Sequence, residues 1–126
     1  MGPYLIDTNA VIDFFNGRLP AKGQRLLASV SPAISVITHM ELFSSSKLTA
    51  AEQAQLQKFV QLATIYDTLS ADIVAQTIAI RQQRKIKIPD AIIAATALVN
   101  GCVLITRNLA DFKQIPDLQL MDPHTL

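Results

Sequence analysis

An alternation constrains this chain more than any other feature. Short apolar or β-branched runs at Tyr4 to Ile6, Ala33 to Ile37, Thr64 to Leu69, Cys102 to Ile105 and Ile115 to Met121 are separated by stretches with helical spacing. Strands that alternate with helices pair in parallel, because a parallel neighbour needs a long crossover and a helix supplies it. The expected fold is therefore α/β: a mostly parallel five-stranded sheet with helices on both faces. One segment, Ile88-Pro89-Asp90 followed by AIIAATALVN, is apolar nearly all round, so its helix should be buried on several sides, with Gly101 closing it.

With 126 residues, half of them apolar, the chain is expected to form a single domain over 1–126. The longest apolar stretch, Ala91 to Val99, is about half of a membrane span. The start of the chain lacks the basic segment and apolar core of a secretory signal, which predicts a cytoplasmic protein without a membrane partner. A lone Cys102 in an apolar setting reads as a buried strand residue in a reducing compartment. The net charge of +1 means that any attraction to nucleic acid must be local.

Caps and turns give the register. A first helix is expected over Ala10 to Phe15, capped by Thr8 or Asn9, and a second over Ala21 to Val30 with Leu26, Leu27 and Val30 inward. Thr38 with Glu41, and Thr49 with Glu52, both match a capping box. Ser70 should cap a helix from Ala71 to about Lys85 with Val74, Ile78 and either Ile73 or Thr77 facing the core, followed by a basic cluster of Arg81, Arg84, Lys85 and Lys87. Asn108 and Asp111 are spaced as the cap and third residue of a short helix, Ile115 to Met121 reads as an edge strand, and Asp122 to Leu126 as a tail.

Asp7, Glu41, Asp90 and Asp111 each fall just after a strand or at the head of a helix, positions that an α/β fold gathers at one edge of its sheet. Each has an ordinary structural job as a turn or capping residue. Four carboxylates in one crevice repel unless a cation joins them, and oxygen-only ligands suit Mg²⁺ or Mn²⁺. No zinc set is present: His39 falls within a helix and His124 in the tail, both read as structural or solvated. Carboxylate-bound Mg²⁺ activates water and offsets charge on a phosphodiester, so phosphodiester hydrolysis is the chemistry that fits. No glycine-rich phosphate loop follows any strand.

The segments LIDTNAVIDF, SVITHMELFSS, KIPDAIIAATAL and LITRNLADF, in this order and spacing, resemble PIN-domain ribonucleases, specifically the VapC toxins of bacterial type II toxin-antitoxin modules. The resemblance spans almost the whole chain. It implies a PIN-like three-layer sandwich, a Mg²⁺- or Mn²⁺-dependent endoribonuclease, a homodimer and a neutralising cognate antitoxin. Carried over by position, Asp7, Glu41 and Asp90 would be metal carboxylates, and Asn9 and Thr106 would orient the metal, its water or the phosphate. Some relatives carry an acid where this chain has Asn108, so the fourth position falls to Asp111 or to Asn108. Thr38 and Arg107 read as supporting or substrate contacts, with structural roles open to both. RNA would meet a local basic rim of Arg18, Lys22, Arg25, Lys47 and the cluster Arg81, Arg84, Lys85 and Lys87, which is equally a solvated helix end. The competing expectations are a PIN nuclease of RNA processing or repair, and a non-catalytic module whose acids bind a basic partner.

Overall fold

The computed structural model describes residues 3–126. In chain order its elements are β1 (Tyr4–Ile6), α1 (Thr8–Phe15), α2 (Ala21–Ser29), β2 (Ala33–Ser35), α3 (Val36–Phe43), α4 (Ala50–Leu62), β3 (Thr64–Tyr66), α5 (Ala71–Gln83), α6 (Ile88–Val99), β4 (Val103–Ile105), α7 (Leu109–Phe112) and β5 (Leu120–Met121). The strands form one sheet in the order β3-β2-β1-β4-β5, and every neighbouring pair is parallel. The fold is the expected α/β sandwich. The chain builds outward from β1 to β3 on one side and then crosses back to β4 and β5 on the other. The strand order therefore reverses at β1 and β4, and ligands of open α/β sheets bind in the crevice at such a point.

Each strand alternates its side chains between two cores. Leu5, Ala33 and Leu104 face one, with Ile73 and Ile80 of α5, the buried residues of α6, and Phe112. Ile6, Ile34 and Ile105 face the other, with Ala10 and Val11 of α1, Leu27 of α2, Leu42 of α3 and Leu56 of α4. Two-residue periodicity thus makes three layers from strands only two or three residues long. Every residue of α6 from Ala91 to Ala97 is buried. Gly101 follows it at φ +64°, a left-handed conformation that a side chain resists. Among the described residues no helix is long and apolar enough to cross a membrane.

Local details depart from expectation in instructive ways. The cap of α1 is Asp7 itself, whose carboxylate accepts from Thr8 N, not Thr8 or Asn9. Val36 and Ile37 are helical despite their branching, because Ser35 ends β2 and its hydroxyl accepts from Thr38 N at 3.1 Å. The capping box at Thr38 and Glu41 is therefore absent: Thr38 lies inside α3, and Glu41 is one turn further on. The box at Thr49 and Glu52 is present. On α5 the core contacts come from Ile73 and Ile80, while Val74 and Ile78 are exposed. Ile73 is thus the expected alternative that reaches the core, and the buried face lies away from Val74 and Ile78. β3 stops at Tyr66, α5 at Gln83, and β5 is only Leu120–Met121. Ile115 packs under the sheet instead of joining it. The stretch read as a tail folds back, with Pro123 buried.

Candidate active site

The crevice at the β1 and β4 strand ends is built around Asp7, which is 4% exposed. Its Oδ1 accepts from Thr8 N at 2.8 Å, and its Oδ2 accepts from Thr106 Oγ1 at 2.9 Å and Asn9 Nδ2 at 3.0 Å. Thr106 is fully buried at the end of β4 and its hydroxyl accepts from Asn108 N at 3.0 Å. Burial pushes the Asp7 carboxyl above its ordinary value, the bonds from Thr106, Thr8 and Asn9 pull against it, and the nearby Glu41 charge adds to the rise.

Glu41 reaches the crevice from α3. The Thr8 hydroxyl lies 2.6 Å from Glu41 Oε1 and 3.0 Å from Thr38 Oγ1. A hydroxyl has one proton, so Thr8 donates to the carboxylate and accepts from Thr38. Thr38 is thereby a buried support for Glu41, reached through Thr8. Asp90 enters at the first turn of α6, where free N-H groups favour negative charge. Its acidity is nevertheless weakened by burial and then by the charges of Asp7, Asp111 and Glu41, against which Lys87 offers one cation. Asp90 therefore feels the charges of the other three acids.

Asp7, Glu41, Asp90, Asn9 and Asn108 line one cleft, with Arg18 and Arg107. Asp111 lines the adjoining one, which it shares with Asp90, Arg81, Lys85 and Lys87. The amide of Asn108 donates to Asp111 Oδ2 at 2.7 Å and links the two. Lys22, Arg25 and Lys47 are exposed and Arg84 is half-buried, and none of them lines either cleft. Among the described residues no three His, Cys, Asp or Glu side chains close together as a ready-made metal-ligand group. The donor chemistry nonetheless suits a hard divalent cation: only oxygens, an excess of negative charge, and a buried carboxylate already oriented.

Asp13 was not singled out from sequence, and His124 was read there only as a structural or solvated residue of the tail. Asp13 is buried on α1 and is bonded by Arg107 and by His124. An acid inside the apolar run VIDFF is the local sign that could have flagged Asp13. His124, 111 positions away, had no such sign.

A family model described as PIN domain matches residues 4–118. Among solved structures, a toxin-antitoxin complex from Klebsiella pneumoniae contains a chain 35% identical to this one, covering 98% of this chain and 99% of that chain, with a TM-score of 0.79. VapBC2 from Rickettsia felis bound to a DNA fragment from its promoter is 28% identical over 94% of this chain and 96% of that chain, with a TM-score of 0.76. DNA-bound VapBC from Salmonella typhimurium is 26% identical over 97% and 98%, with a TM-score of 0.75. No protein of curated function matches the chain.

Proposed function

The chain belongs to the PIN-domain family, and from that premise we propose that it is the toxin nuclease of a toxin-antitoxin module. In this reading it is a cytoplasmic, divalent-metal-dependent endoribonuclease that hydrolyses RNA phosphodiester bonds and is neutralised by a cognate antitoxin. The observation that carries the reading is Asp90, half-buried where the cleft lined by Asp7 and Glu41 adjoins the one lined by Asp111. Like charges gathered around two adjoining clefts disfavour one another unless a cation offsets them.

Asp7, Glu41 and Asp90, with Asp111 in the fourth position, would hold Mg²⁺ or Mn²⁺, which when bound supplies a Lewis acid and lowers the pKa of a coordinated water. The chain's own groups prepare for this. Thr106, Asn9 and Thr8 N fix both oxygens of Asp7, so its orientation is set before substrate arrives. Thr8, backed by Thr38, does the same for Glu41. Asn108 spans the two clefts and restrains Asp111. Cations line the edges, Arg18 and Arg107 on one side and Arg81, Lys85 and Lys87 on the other, and in this reading they would receive an RNA backbone, with Arg84, Lys22, Arg25 and Lys47 outside the two clefts.

The antitoxin part of the proposal is supported by the toxin-antitoxin complexes among the solved neighbours. It is also supported by an apolar groove of Phe15, Leu42, Leu48 and Leu56 that shares Ile12 and Glu41 with the acidic cleft. A partner segment with an apolar face and an arginine suits both. A homodimer is part of the same proposal. Leu42 is buried, and Phe43 and Leu48 pack against the core beside it, whereas Val74, Ile78 and Ile88 leave apolar surface exposed.

Purified protein should cleave single-stranded RNA with Mg²⁺ or Mn²⁺ and stop when a chelator is added. Asp7→Asn and Asp90→Asn should each abolish cleavage while keeping the circular dichroism of the parent. Full activity in either variant rejects the assignment, and stable RNA binding without cleavage by the parent favours a non-catalytic module.

A further inference from the structure

A second group of ionisable side chains sits on the wall of the acidic cleft, apart from the four carboxylates. Asp13 is 1% exposed, and a carboxylate buried that deeply needs partners. Arg107 Nη1 lies 3.0 Å from each of its oxygens, and His124 Nε2 lies 2.8 Å from Oδ2. Its backbone carbonyl accepts from Arg18 N at 2.9 Å. Asp13 therefore holds the Arg107 side chain and the backbone at Arg18.

His124 arrives there through a built turn. Asp122 Oδ1 accepts from His124 N at 2.9 Å, and buried Pro123 lies against α2 at Gly23. A Cβ at position 23 would come within 2.0 Å of the Pro123 carbonyl oxygen, so only glycine lets the carboxy-terminal turn seat so closely.

How Arg107 is held matters more than that it is held. Arginine–carboxylate pairs are frequently bidentate, with two nitrogens side by side. Here a single nitrogen meets both oxygens, and among the described residues nothing accepts from Nε or Nη2. The side chain is 53% exposed and lines the cleft. Its backbone N donates to Asn9 Oδ1 at 3.1 Å, and the same amide donates to Asp7 Oδ2, so one side chain separates Arg107 from the buried acid.

We propose that Asp13 and His124 are positioning residues that hold Arg107 by one nitrogen so that its free edge binds an RNA backbone phosphate next to the scissile one. The carboxy-terminal turn is thereby part of the substrate site. This inference rests on the reading of the cleft as a ribonuclease site, and the measurements are chosen to separate the two.

Steady-state cleavage of a short oligoribonucleotide in Mg²⁺ gives kcat and KM, and binding of the same RNA against salt is read in an Asp90→Asn background. Arg107→Ala should raise KM about tenfold with kcat nearly unchanged, and should lower the salt slope by about 0.7. Arg107→Lys should not rescue, because an ammonium drawn to Asp13 leaves no second edge for phosphate. Asp13→Asn risks misfolding, so the decisive variant is His124→Ala at a half-buried position. It should raise KM about threefold, add nothing on top of Arg107→Ala, and be rescued by His124→Gln, whose amide also carries a donor nitrogen. If His124→Ala lowers Tm but leaves KM at the parent value, or if its effect persists undiminished without Arg107, the proposal is overturned. A parent that binds RNA with these dependences and never cleaves it sinks the ribonuclease reading alone. A parent that cleaves with KM and salt slope indifferent to Arg107 sinks this inference alone.

Discussion

At the end of β1 the Asp7 carboxylate is buried and receives three hydrogen bonds, one of them from Thr106, 99 positions away in sequence. Beyond the end of β4, Asp111 is exposed on a four-residue helix and is bonded by Asn108, three positions away. The two carboxylates line adjoining clefts that share Asp90, yet one is fixed by the tertiary structure and the other by a local turn. Pre-oriented charge is worth more to a site than mobile charge, because no reorganisation is needed when the reaction begins. The fixed end should therefore set whether the site works at all, and the local end how well. Each prediction below tests that asymmetry.

The largest effect belongs to Asp7→Asn, which keeps the shape but discards the charge on which the fixed end is centred. Cleavage should fall by at least about a thousandfold and should not return at high Mg²⁺. Next comes Thr106→Val, which removes a buried hydroxyl that donates to Asp7 and accepts from Asn108 N. It should lower apparent metal affinity about tenfold to a hundredfold and cost about 1–3 kcal/mol of stability, since two buried groups lose a partner. Urea titration and a metal titration of cleavage read the two effects separately. A Thr106→Val protein with parental metal affinity would mean that the support of Asp7 is immaterial and the comparison empty.

The same contrast explains how much was legible in the sequence. The parallel sheet, the position of Asp7 at a strand end, the Thr49 and Glu52 box and the Gly101 stop are all consequences of local pattern, and the chain displays them where expected. Asp7 as the cap of α1 was among its readings from sequence, but Thr8 and Asn9 are equally good caps by type, so local pattern did not choose between the three. Val36 and Ile37 favour a strand by branching, and only the cap from Ser35 turns them into a helix. On α5, Ile73, Val74, Ile78 and Ile80 offer two apolar faces, and the choice between them is made by packing against α6. The link from His124 to Asp13 has no local trace at all. The fixed half of the site is thus the half that sequence pattern describes least completely, because long-range bonds define it.

Acidity offers a third test. Asp7 and Asp90 both carry raised pKa values in the folded protein, chiefly through burial, with an ordinary carboxylate value of 3.8 as the reference. A group that binds its proton more tightly when folded adds stability at pH values below its unfolded pKa, and that contribution is lost as pH rises through the folded pKa. In the metal-free protein, the stability of the parent relative to Asp7→Asn should therefore improve as pH falls from neutrality toward 3.8. Added Mg²⁺ should stabilise the parent at neutral pH, where the repulsion is unrelieved. Thermal melts of both proteins with chelator and with metal give the comparison. A gap that is independent of pH and of metal would show that the fixed end carries no electrostatic strain.

Asp111→Asn is the smallest change expected and the sharpest check. The residue is exposed, so its loss should move stability by no more than about 0.5 kcal/mol. An asparagine there still accepts from Asn108 through its carbonyl oxygen, so the turn that carries it survives. What disappears is one negative charge beside Asp90, at the border of the basic cleft of Arg81, Lys85 and Lys87. Cleavage should fall about tenfold at limiting Mg²⁺ and recover as Mg²⁺ is raised, since the remaining carboxylates still define the site. Recovery is the outcome that matters, because Asp7→Asn is expected to show none. If Asp111→Asn were as inactive as Asp7→Asn at saturating metal, an exposed acid tethered by a local bond would be as indispensable as a buried one held across the sheet. Pre-orientation by the fold would then no longer explain which acids the site requires.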